Sequence, residues 1–129
     1  MTCRVNSVHW FEIPVHSMDR AKKFYESVFG IPLSVQTKGT LQMALWPKPQ
    51  DASGAGGSLI KIDSIKPSHD GTLVYFTVED IPAVLERVHA NGGKTLKEKM
   101  SIGEYGFIAH FEDSEGNRLG LHHWETKVK

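Results

Sequence analysis

Over residues 17–30 the apolar side chains of Ala21, Phe24, Tyr25, Val28 and Phe29 recur at the i, i+3, i+4, i+7, i+8 spacing that puts them on one face of a helix. Ser17 is suited to cap that helix and Gly30 to end it, and Pro32 stands where it could not continue. The same punctuation returns later. Asp80 caps, Pro82 falls in the first turn, Ile81, Val84, Leu85 and Val88 form the stripe, and Asn91, Gly92 and Gly93 end it. Around the two helices the pattern predicts eight strands, roughly over 5–15, 33–38, 40–47, 57–62, 73–78, 94–98, 105–111 and 118–124. Residues 48–57 read as a mobile loop and 63–71 as a connector between halves.

A shift of 63 residues superposes those halves, bringing Val15 onto Val78, Ser17 onto Asp80, Gly30 onto Gly93 and Gly57 onto Gly120. The order strand, helix, three strands recurs without an insertion, so the repeat is the protein: one domain over 1–129, with modules at about 1–63 and 64–129. A βαβββ unit leaves one sheet face that its single helix does not cover. The expected fold is therefore α+β, two tandem βαβββ modules forming an incomplete barrel around one cavity, where a ligand would sit.

Composition narrows the partners. Fifteen basic residues balance fifteen acidic ones, which disfavours a broad nucleic-acid footprint. No apolar run nears the roughly 18 residues of a membrane span, and the opening MTCRVNSVHWFE lacks the apolar core of a secretory signal, so the expected location is cytoplasmic and away from membranes. Cys3 is the only cysteine, which excludes an intrachain disulfide and a cysteine-based metal framework. It reads as a bystander rather than a nucleophile. The segment SGAGGS lacks the Lys and hydroxyl residue of a phosphate-binding loop and opens no helix.

Three segments carry a resemblance: FEIPVHSMDRAKKFYESVFGIPLSV, YFTVEDIPAVLERVHANGGK and HFEDSEGNRLGLHHWE. Together they resemble the vicinal oxygen chelate superfamily, which includes glyoxalase I, bleomycin-resistance proteins and extradiol dioxygenases. D-x-E-G-N before the last strand looks like the family's closing hairpin, with Gly116 and Asn117 expected to supply positive φ. The resemblance implies a divalent ion chelating adjacent substrate oxygens, held by His, Gln or Glu from the first and last strands of each module. Carried over by motif spacing, those positions are Trp10, Gly57, Leu73 and Gly120, none of which binds a cation through its side chain. The resemblance thus implies a member without the usual metal site. It also implies a homodimer, as do the sheet edges that two short modules leave uncovered.

Strand alternation then selects the remaining chemistry. If Trp10 faces the cavity, so does Glu12; in the last strand Gly120, His122 and Trp124 share that face, and Tyr75 matches Glu12 in the repeat. Glu12 and His122 are the candidate catalytic pair, since a carboxylate and an imidazole in an apolar cavity suit proton transfer. Trp10, Trp46, Tyr75, Gly57 and Gly120 are the candidate ligand-binding residues, the two glycines enlarging the pocket. Glu12 as a structural partner of Arg118, Tyr75 as a core aromatic, and His122 with His123 as a surface pair are the plainer alternatives. The leading expectation is a metal-independent protein that binds or transforms a small molecule. The alternative is a Zn, Ni, Mn or Fe lyase, isomerase or dioxygenase with displaced ligands, Glu12 and His122 among them, and a pure interaction module ranks third.

Overall fold

A computed structural model describes residues 7–47 and 54–124; Cys3 and most of the 48–57 loop lie outside the described residues. The first module runs β1 (Trp10–Pro14), α1 (Met18–Phe29), β2 (Ser34–Lys38), β3 (Leu41–Leu45) and β4 (Gly56–Lys61). The second runs β5 (Tyr75–Thr77), α2 (Ile81–Ala90), β6 (Lys94–Ser101), a short 3-10 turn (Gly103–Tyr105), β7 (Phe107–Glu112) and β8 (Arg118–His123). Each module makes a four-stranded mixed sheet, ordered β1-β4-β3-β2 and β5-β8-β7-β6, with the first and last strands parallel. The fold is α+β and bimodular as expected. The two sheets stay separate and do not close into a barrel.

Local chemistry explains the elements. The Ser17 side chain accepts the Arg20 N–H and Gly30 ends α1 in the left-handed conformation at φ 66°. The Asp80 side chain accepts the Ala83 N–H at the start of α2. Gly106, at φ 100°, turns the chain after the 3-10 segment and delays β7 beyond its expected start. Pro14 is tolerated in β1 because that strand is a sheet edge and Ile13 and Val15 face the core on either side of it.

The stripes of both helices meet the inner faces of both sheets in one hydrophobic core, which includes Ile13, Phe24, Val28, Leu59, Val84, Val88, Phe111 and Leu121. Aromatic rings carry it across the module boundary, with Phe11 and Phe76 5.8 Å apart and Phe29 and Phe76 4.8 Å apart. The hairpin between β7 and β8 locks the modules together. Glu115 is buried, and its carboxylate accepts the His16 and Ser17 N–H groups at the start of α1, each at 2.8 Å, and the Arg20 guanidinium at 2.7 Å. Burial pushes the Glu115 carboxyl up, but the donors from Arg20, Ser17, Ser114 and His16 outweigh it and hold the group at about 2. Asp113 accepts the Tyr25 hydroxyl at 2.6 Å and the backbone N–H groups of Glu115 and Asn117, and burial raises its carboxyl against those bonds. Of the two residues expected at positive φ, only Gly116 adopts it. Asn117 instead spends its amide on the Pro14 carbonyl and on Asp113.

Candidate functional site

The register of the parallel pairs decides which residues face away from the helices. Glu12 lies opposite Ser58, and Tyr75 lies opposite Gly120. Because Glu12 and Tyr75 are equivalent in the repeat, Ser58 rather than Gly57 takes the place of Gly120. The hydrogen bonds agree, with the Val15 N–H on the Ile60 carbonyl and the Val78 N–H on the His122 carbonyl. Pairing the two glycines by identity slips the strand by one residue, which turns every side chain to the other face. Gly57 accordingly faces the helix side, where a Cβ would strike the Phe11 ring. Trp46 also belongs to that side, packed at 5.2 Å from Phe11 and stacked at 5.8 Å on Phe76. Neither Gly57 nor Trp46 is on the open face that carries Trp10, Glu12, Tyr75 and Gly120.

That open face carries the other candidates. Trp10 is 39% exposed and its indole N–H reaches Glu12 at 3.4 Å. Tyr75 is 42% exposed, its ring lies where a Cβ at Gly120 would stand, and its hydroxyl meets His110 Nε2 at 2.8 Å. The space at Gly120 is thus filled by Tyr75 and does not enlarge a pocket. His110, opposite Gly120 on β7, joins this face, and burial, then Arg118 and Lys97, lower its pKa. His122 donates from Nε2 to the Tyr105 carbonyl at 2.7 Å and has Trp124 at its edge. No hydrogen bond or ion pair joins Glu12 to His122 among the described residues, so the expected acid-base pair is split between modules. Glu12 does not pair with Arg118 either.

Among the described residues, two adjoining cavities open along the seam near Thr72 and Val74. The larger, about 490 Å³, is walled by Val8, Phe11, Leu73, Tyr75, Phe76 and the Gly54–Ala55 backbone. The smaller, about 180 Å³, lies among Glu12, the connector and the start of β8. They share Thr72 and Val74, so they adjoin, and neither is lined by Trp10 or His122.

The model of the Glyoxalase/Bleomycin resistance protein/Dioxygenase superfamily matches residues 7–121. The chain belongs to this superfamily. A glyoxylase-like domain-containing protein of Didymella fabae is 34% identical over 110 residues, which span 82% of this chain and 84% of that one. The fold is shared with glyoxalase I of Zea mays (TM-score 0.66, 19% identity, 88% of this chain but 44% of that one). It is shared too with TnmS3, an antibiotic-binding protein of Streptomyces sp. CB03234 (TM-score 0.67, 21% identity, 96% and 100%). This superfamily domain therefore spans under half of the maize enzyme. It also covers only 47% of the CFP32 protein of Mycobacterium bovis, to which it is 26% identical.

The metal expected of many superfamily members does not fit the residues present. In the corrected register its four positions hold Trp10, Ser58, Leu73 and Gly120. The Ser58 hydroxyl is fully buried without a hydrogen-bond partner, and a lone neutral hydroxyl beside an indole, an alkyl group and a hydrogen atom is no site for a divalent cation. A displaced site on Glu12 and His122 lacks a third ligand, since no three His, Cys, Asp or Glu side chains gather among the described residues. No helix among the described residues is long and apolar enough to cross a membrane.

Proposed function

We propose that this domain binds a small organic molecule without a resident metal ion, the apolar part of the ligand lying in the seam cavity beside Tyr75. The observation that carries the reading is the replacement of every chelating position, by Trp10, Ser58, Leu73 and Gly120, together with an aromatic-walled cavity of about 490 Å³ whose lining takes in Leu73. The antibiotic-binding activity named for TnmS3 shows that the fold serves such a role elsewhere. Phe11, Leu73 and Phe76 supply apolar contact, and Tyr75 supplies a ring face and a hydroxyl held by His110. Trp10 and Glu12 form the rim of the open face. Glu12 and His122 hold separate hydrogen bonds, which favours binding over proton transfer between them.

The domain works as a homodimer in this reading, because Trp10, Tyr75 and Met100 on the open sheet faces are 39%, 42% and 44% exposed and a second molecule would cover such apolar surface. A single cysteine suits the cytoplasm. A thermal-shift screen of aromatic metabolites and antibiotics tests the ligand class, since a molecule bound only by the folded state raises apparent stability. Hits should lose their effect in Tyr75→Ala. Hits that persist undiminished in Tyr75→Ala place the ligand elsewhere and overturn the reading. Sedimentation should find a dimer at micromolar concentration, and a monomer there removes the dimer.

A further inference from the structure

The smaller seam cavity has a chemistry of its own. Its wall holds Arg118 and Lys66 as cations and Glu12 and Asp70 as anions, and Ser68 and Asn117 also line it. No ion pair among the described residues joins either cation to either carboxylate. Arg118 Nε is buried without a partner, a donor that costs free energy until something accepts from it. The wall is also rigid. The Arg118 N–H is held by the Ser68 carbonyl, the Ser68 N–H by Asn117 Oδ1, and Asn117 in turn by Pro14 and Asp113. A pocket with two charges of each sign and no ion pair between them discriminates against a plain anion, which Glu12 and Asp70 repel, and against a plain cation, which Arg118 and Lys66 repel. A ligand bearing both charges satisfies both pairs.

We infer that this pocket is a second binding site, for a small zwitterion of the amino-acid type. Its carboxylate accepts from the Arg118 guanidinium and its ammonium donates to Glu12. The volume, about 180 Å³, suits a molecule of a few heavy atoms rather than a drug-sized one. The site stands whether or not the apolar cavity binds anything, and Tyr75→Ala probes that cavity alone. Titration of the full chain with glycine, acetate, methylammonium and inorganic phosphate at matched ionic strength, read by calorimetry and thermal shift, tests it. Glycine should saturate, and the other three should bind at least about tenfold more weakly, the value of one charge-assisted hydrogen bond. Glu12→Gln, at an exposed position, and Arg118→Lys, which keeps the charge but removes the planar guanidinium fork, should each weaken glycine roughly tenfold. Acetate or phosphate binding as tightly as glycine would make this a simple anion site and overturn the proposal. So would absence of saturation by glycine, or glycine binding unchanged in Glu12→Gln.

Discussion

Gly57 and Gly120 sit in the last strands of their modules, each beneath an aromatic ring of the neighbouring parallel strand, and they face opposite ways. Phe11, half-buried against the core, covers Gly57 on the helix side, whereas Tyr75 covers Gly120 on the open face. The two sites look alike in the sequence because each pairs a glycine with an aromatic. They differ because a single residue of register separates them, and that residue decides whether the ring packs against the core on the helix side or lies over the open face beside His110.

The comparison can be broken most forcefully at Gly57. Valine there must displace the half-buried Phe11 ring from its packing against Trp46 and Phe76, and the expected loss is roughly 2 to 3 kcal/mol in urea unfolding. A loss under about 0.5 kcal/mol, the range of ordinary surface substitutions, would mean that Gly57 faces outward after all. Next in size is Glu115→Ala, which strands the His16 and Ser17 N–H groups and unpins the module carrying Gly57 from the one carrying Gly120. Roughly 2 kcal/mol should be lost by the same assay.

The acid limb sharpens that result. Glu115 has a folded pKa of about 2, below its value in the unfolded chain, so its contribution is complete above the ordinary carboxylate range and disappears as pH falls toward about 2. Asp113, raised by burial, works in the opposite direction. Glu115→Gln should therefore flatten the loss of stability between about pH 4.5 and pH 2, and an unchanged acid limb would remove Glu115 as its cause. The smallest effect belongs to Gly120→Ala. The Tyr75 ring can swing toward solvent, so the cost should stay under about 1 kcal/mol. The His110 titration followed by NMR should rise toward its ordinary value as that ring uncovers it. A large stability loss with unmoved His110 would put Tyr75 in the core.

Caps, stripes and the repeat were legible because they are local: Ser17, Gly30, Asp80 and the apolar spacing of both helices all act within a few residues. Alternation along β1, β5 and β8 also placed Trp10, Glu12, Tyr75 and His122 on one side of their strands. The face of Gly57 was not legible, because β4 begins after residues of uncertain register and identity with Gly120 was a misleading anchor. Trp46 lies just beyond β3, where alternation ends, and only the ring cluster with Phe11, Tyr25 and Phe76 shows its side. D-S-E-G-N reads locally as a turn. Its carboxylates act on Tyr25, His16, Ser17 and Arg20, 88 to 99 residues away, a distance no turn rule spans. In the sequence Arg118 stood only as a partner for Glu12, and nothing there marked His110; what brings them forward is a charged cavity wall and a hydrogen bond shared with Tyr75.

The central claim is that Trp10, Ser58, Leu73 and Gly120 leave this superfamily domain without a resident transition metal. Elemental analysis of untagged protein, purified without chelator, tests it most directly. Well below 0.1 equivalent of Zn, Ni, Mn or Fe per chain is expected, on the order of what adventitious carboxylate and imidazole binding leaves behind. About one equivalent per chain, retained through dialysis as a site of three or four protein ligands would retain it, would contradict the account.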